Sequence, residues 1–165
     1  MVKIIRVVFM VSVMTVLVTC LSIFLGGNYV VYNLIGVSMK PTYADGDIVV
    51  LDTTKEISRG DVVIFKFESE EPEYNGTYVK RVVGMPGDKL SSDKDFNLKV
   101  NDKVYTNEVT KDNVKIVVDK TVEVSHNSYY VVGDNEDSSL DSRVFGEVDK
   151  DMIVGVATSI HIKGK

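Results

Sequence analysis

The chain has 165 residues, 44% of them hydrophobic and 26% charged, with a formal net charge of -5. Those values exclude a disordered chain and leave room for one domain beside an apolar segment, not for two ordinary domains. The acidic balance repels phosphate backbones and argues against a nucleic-acid partner, and the single cysteine, Cys20, excludes an internal disulfide or a CxxC site.

The first element is an apolar run over residues 7–25, free of charge, Pro and Gly. A helix of about 20 apolar residues spans the hydrocarbon core of a bilayer, so the run predicts a transmembrane anchor. Lys3 and Arg6 precede it, and the next basic residue is Lys40. The positive-inside rule therefore predicts a cytoplasmic N-terminus and an extracytoplasmic domain. The predicted division is 1–27 for the cytoplasmic end and anchor and 28–165 for the folded domain. Two rivals fit less well. A cleavable signal peptide wants a shorter apolar region and a small-x-small exit, whereas the exit here is Leu25-Gly26-Gly27-Asn28. A lipoprotein signal would end at Cys20, but Thr19 precedes it and apolar sequence follows.

Beyond the anchor the periodicity changes to short runs rich in Val, Ile, Tyr and Phe, the composition of strands. Such runs fall at 47–51, 61–67, 78–83, 98–105, 114–118, 129–132 and 153–162. Asp45-Gly46, Arg59-Gly60, Asn75-Gly76 and Pro86-Gly87-Asp88 punctuate them as turns. Asn101-Asp102 sits between alternating residues and predicts a two-residue hairpin, since both types tolerate positive φ. The acidic stretch from Glu68 to Glu73 reads as an exposed loop. No amphipathic helix is evident past residue 30, so the domain is expected to be mostly β.

Three stretches carry candidate chemistry. In the first, Gly36 precedes Ser38 and Pro41 follows it. Gly allows close backbone approach and Pro stiffens the exit, a turn that would expose Oγ and aim the Ser38 N–H at an oxyanion. Taken alone, Ser38 reads as an ordinary turn residue. In the second, strand alternation puts Tyr78, Lys80 and Val82 on one face. If that face is buried, desolvation lowers the lysine pKa and makes a general base; if not, Lys80 is a solvated charge. The third runs from Gly133 to Gly146 as a polar loop in which Asp141 and Arg143 can pair. The two histidines, His126 and His161, stand isolated, and no metal-ligand spacing is present, so no metal or cofactor is expected.

Together these stretches resemble the type I signal peptidase family, in its short single-span form. Ser38-Met39-Lys40-Pro41-Thr42 is similar to the SMxPT box, and Lys80 to Asp88 is similar to KRVxGxPGD. The loop is similar to GDNxxxSxDSRxxG at Gly133, Asp134, Asn135, Ser139, Asp141, Ser142, Arg143 and Gly146. The resemblance implies a β-rich catalytic domain, a partly closed barrel or sandwich of short strands, after one transmembrane helix. It implies a serine endopeptidase of the cell membrane that removes signal peptides from exported preproteins, cutting after small residues at -1 and -3. Ser38 would be the nucleophile and Lys80 the general base. Ser139 would orient the Lys80 amine, Asp141 and Arg143 would form a supporting pair, and the Ser38 N–H would serve the oxyanion. Some members carry a hydroxyl where Gly36 stands, and Glu136 and Asp137 replace residues common in the loop. The implied partners are preproteins, the lipid bilayer and the secretion machinery. Two other readings remain: an anchored relative that binds exported subunits without cutting them, and a Ser-Lys peptidase of the self-cleaving repressor type. Retention of Ser38 and Lys80 disfavours the first, and the anchor with its acidic domain disfavours the second.

Overall fold

The computed structural model describes residues 10–18, 26, 28–116 and 121–164. Within the predicted anchor, residues 10–18 are helical and exposed, and the rest of the 7–25 run lies outside the described residues. Among the described residues no helix is long and apolar enough to cross a membrane.

Among the described residues eleven strands form two antiparallel sheets. The larger holds β1 (Tyr29–Asn33), β2 (Ile48–Asp52), β3 (Val62–Phe67), β4 (Gly76–Gly84), β9 (Ser128–Val132), β10 (Val148–Asp149) and β11 (Ile153–Ile162). The smaller holds β5 (Lys89–Ser92), β6 (Leu98–Val100), β7 (Lys103–Val104) and β8 (Val122–Glu123). The larger order is β1-β2-β11-β3-β4-β9-β10 and the smaller is β7-β6-β5-β8. Among the described residues neither sheet pairs its last strand with its first, so no closed barrel forms; of the partly closed barrel or sandwich that the resemblance implied, the structure shows the mostly β domain, as two sheets. Irregular registers bend the larger sheet without closing it. They fall in β11 between Ile153 and Gly155 and between Ala157 and His161, and in β4 between Val82 and Gly84.

The centre of the larger sheet decides the fate of the site. β3 and β4 pair without interruption from Val62↔Arg81 to Phe67↔Gly76. Both are covered on both faces, which explains why their apolar runs are continuous rather than alternating. Val63, Phe65, Val82 and Val131 belong to one core, and Leu34, Met39, Leu51, Ile64 and Val79 to another. A third core joins Val83, Tyr130 and Val132 of the larger sheet to Leu90, Leu98 and Val124 of the smaller. Gly84 and Gly155 are required by this packing. A Cβ on Gly84 would lie 2.8 Å from Tyr130 Cβ, and one on Gly155 would lie 2.8 Å from the Asp52 carbonyl oxygen.

The Asn101-Asp102 hairpin forms as predicted, both residues with positive φ, between β6 and β7. The run at 114–118 does not make a strand: Lys115 forms only an isolated bridge to Asn97, and 117 and 118 lie outside the described residues. One helical turn, Ser142–Phe145, stands in the loop after β9, too short to show periodicity.

Candidate active site

Ser38 sits in a turn after β1. The Lys40 N–H donates to the Val37 carbonyl at 3.1 Å and the Tyr43 N–H to the Met39 carbonyl at 2.9 Å. Met39 is the anchor of this turn, 2% exposed in the core beneath it, while Ser38 stays half-exposed. Gly36 takes φ +99, and its N–H donates to Asp45 Oδ1 at 2.7 Å. That left-handed backbone suits glycine, and it turns the chain from β1 toward Ser38. Among the described hydrogen bonds none is donated by the Ser38 N–H.

Lys80 lies in the doubly covered part of β4 and is 3% exposed. Its Nζ donates to Ser38 Oγ at 2.8 Å and to the Val79 carbonyl at 2.8 Å. The nitrogen also lies 5.6 Å from the centroid of the Tyr78 ring. That ring is fixed in turn: it stacks on Phe65 at 5.6 Å, and its hydroxyl donates to the Tyr74 carbonyl at 2.8 Å. Burial pushes the Lys80 amine down from 10.5 to about 8. Asp141 and Asp134 oppose that shift and Arg143 assists it. Desolvation wins because both carboxylates are already committed to guanidinium groups, so their field at Lys80 is largely compensated.

The loop after β9 supplies those carboxylates. Asp134 accepts from Arg81 Nε at 2.8 Å, from Arg81 Nη2 at 2.6 Å and from Asn107 Nδ2 at 2.7 Å, and the Thr42 hydroxyl also donates to it. It thus joins the Ser38 turn, the strand of Lys80 and the smaller sheet's outlying chain. Next to it, the Asn135 N–H donates to the Ser38 carbonyl at 2.9 Å and its side chain to the Val37 carbonyl at 3.1 Å. Gly133 permits this approach, because a Cβ there would fall 2.6 Å from the Ser38 carbonyl oxygen.

Asp141, fully buried, accepts from Arg143 Nε and Nη2 at 2.8 Å each, from the Gly133 N–H at 2.9 Å and from the Ser139 hydroxyl at 2.6 Å. Those donors hold its carboxyl below the usual range against the opposing effect of burial. The Ser139 hydroxyl proton is therefore directed at Asp141. Among the described contacts it makes no hydrogen bond to the Lys80 amine, which Ser38 and the Val79 carbonyl occupy. The helical turn that follows is tied back to β9, where the Val131 N–H donates to Ser142 Oγ at 2.9 Å. It also sends Phe145 against Phe67 at 4.3 Å between centroids.

An apolar groove of about 600 Å³ opens over the Ser38–Lys80 contact. Its walls include Tyr32 and Leu34 from the β1 end, Ile64, Tyr78 and Val79 from β3 and β4, and Leu140 from the loop. Of the residues marked by the sequence, Ser38, Lys80, Ser139, Asp141 and Arg143 converge, and Gly36 lines the same groove. Sequence reasoning missed Thr42, Arg81, Asn107 and Asp134 as one hydrogen-bonded hub. Three of them lie inside the boxes, but Asn107 lies in no motif and had no signal.

A model of the signal peptidase family, peptidase S26, matches residues 2–162. Signal peptidase IB of Staphylococcus aureus is 33% identical over 87% of this chain and 84% of its own length. Signal peptidase I P of Bacillus subtilis subsp. natto is 34% identical over 76% of this chain and 72% of its own. The crystal structure of a signal peptidase I from Enterococcus faecalis V583 matches with a TM-score of 0.50 at 28% identity, covering 63% of this chain and 98% of that one. The β-rich fold, the groove with its buried lysine and these likenesses agree, and the chain belongs to the signal peptidase family, peptidase S26, as a serine protease.

Proposed function

We propose that this chain is a membrane-anchored endopeptidase that removes signal peptides from exported preproteins through Ser38 and Lys80. One observation carries the reading: a buried lysine amine 2.8 Å from a serine hydroxyl at an apolar groove. With Lys80 neutral, the same contact runs the other way, the Ser38 O–H donating to the lone pair of Nζ. Lys80 takes that proton as Oγ attacks the scissile carbonyl carbon. The Ser38 N–H stabilises the tetrahedral oxyanion. The C–N bond breaks, the leaving amine takes the proton from Lys80, and an acyl-Ser38 ester remains. Lys80 then draws a proton from water as the water oxygen attacks the ester carbonyl carbon, the acyl C–Oγ bond breaks, and Oγ takes the proton back from Lys80. Gly36 offers no side-chain donor to the oxyanion.

Ser139, Asp141 and Arg143 act behind Lys80 as its support. The groove accepts small side chains at -1 and -3 of the substrate. The apolar run at 7–25 anchors the chain with its N-terminus in the cytoplasm, and the domain from residue 28 onward works outside. Ile35, 88% exposed beside the groove, supports a position at the bilayer surface, where preproteins emerge from the secretion machinery.

The test is cleavage of a preprotein bearing an Ala-x-Ala site by the detergent-solubilised full chain, beside Ser38→Ala and Lys80→Ala. Wild type is expected to cut after the second Ala, and each variant to lose at least a factor of about 100. The wild-type rate should rise about tenfold per pH unit below about 8, as the neutral amine becomes populated, and level off above it. An uncut substrate, or variants that cut as fast as wild type, would favour a binding protein instead.

A further inference from the structure

The Arg143 guanidinium serves two carboxylates. Its Nε and one Nη fork onto the buried Asp141. Its other Nη lies 3.7 Å from Glu136 Oε2, and Nη2 also donates to the Glu136 carbonyl at 3.0 Å. The same Glu136 Oε2 accepts from the Lys115 N–H at 3.0 Å, a residue of the segment that runs beside the smaller sheet. Glu136 therefore closes a chain of contacts from the outlying segment through Arg143 and Asp141 to the wall behind Lys80. The groups facing Lys80 are Ser38 from the nucleophile turn, Tyr78 from its own strand, and Asp134, Asp141 and Arg143 from the loop. Among the described residues the ion pair of Glu136 is with Arg143; the Lys115 ammonium is engaged elsewhere, with Asn97 Oδ1 at 2.6 Å and the Asp95 carbonyl at 3.1 Å.

We propose that Glu136 is a positioning residue for the Ser38–Lys80 pair, balancing the charge of Arg143 and pinning the loop from Gly133 to Arg143 to the segment at Lys115. This rests on Lys80 being the general base. Two effects separate. The carboxylate offsets the positive charge that Arg143 presents to Lys80, which raises the proton affinity of the amine. The acceptor oxygen holds the loop in place, and an amide oxygen can do the same.

Two variants of the full chain resolve the effects. Glu136→Gln removes the charge and keeps an acceptor. Its acid limb in kcat/KM is expected to move down by a few tenths of a pH unit. It should run about twofold faster than wild type at pH 7 and equal wild type above pH 9, on the same scale. The Lys115 amide should keep its wild-type hydrogen exchange. Glu136→Ala removes both, so the limb moves down equally, the high-pH plateau falls several-fold, and the Lys115 amide exchanges faster. An acid limb that stays at the wild-type pH, or moves up, in both variants overturns the inference, as does an unchanged Lys115 amide in Glu136→Ala. Lys80→Ala separates the two failures. If it retains the wild-type rate, the base assignment has failed and this inference falls with it. If it is inactive while the limb does not move, only the role of Glu136 has failed.

Discussion

Two aspartate–arginine pairs flank Lys80, and they differ in what they hold together. Asp134 and Arg81 are joined at 2.6 Å, with side chains 0% and 9% exposed, and their partners come from three distant segments. Asp141 and Arg143 are two residues apart, joined at 2.8 Å, and the guanidinium keeps 18% of its exposure. The first pair is a junction of the fold. The second shapes one loop and faces solvent on its outer side. Both carboxylates are buried, but the Arg81 guanidinium is 9% exposed against 18% for Arg143, so Arg81 depends more on its partner. The first pair is therefore expected to weigh more on stability and the second on the reaction.

The largest effect should come from the junction. Asp134→Ala leaves the Arg81 guanidinium buried with only the Gly60 carbonyl and the Thr42 hydroxyl as acceptors. It is expected to cost about 3–5 kcal/mol, read as a lower midpoint in urea unfolding at unchanged slope. Asp141→Asn should be milder for the fold and harsher for its size on catalysis. The loss of the fork onto Arg143 is expected to cost about 1–2 kcal/mol. The cleavage rate should fall about tenfold or more, because one of the two acceptor oxygens that Ser139, Gly133 and Arg143 share becomes an NH2 donor and the negative charge behind Lys80 is lost. Equal destabilisation by the two substitutions would break the comparison. A stable Asp134→Ala protein would reverse it.

How far the sequence revealed this arrangement depends on the kind of contact. Strands β2, β3, β4, β9 and β11 were legible because each carries a run of Val, Ile or Phe long enough to read. β8 and β10 were not, being two residues each and defined only by their partners. β1 was hidden because YVVYN stands only three residues after the apolar run and shows little alternation. Ser38 and Lys80 could be named from their boxes, but strand alternation could not say whether Lys80 was buried. That required both faces of β4 to be covered, a property of the sheet order. The turn before Ser38 offered Gly36, yet not Asp45, which holds the Gly36 N–H across nine residues. The bond from the Ser139 hydroxyl to Asp141 Oδ2, at 2.6 Å, was also not legible, since nothing in the loop's sequence says which acceptor that hydroxyl reaches.

The central claim is that Lys80 is deprotonated within reach of neutral pH because the fold desolvates it. The direct measurement is an NMR titration of the Lys80 side chain in the full chain in detergent micelles, assigned by its loss in Lys80→Arg. A midpoint near 8 is predicted, with the acid limb of cleavage at the same pH. A midpoint near the ordinary lysine value of 10.5 would contradict the account, since the amine beside Ser38 would then be charged throughout the working range.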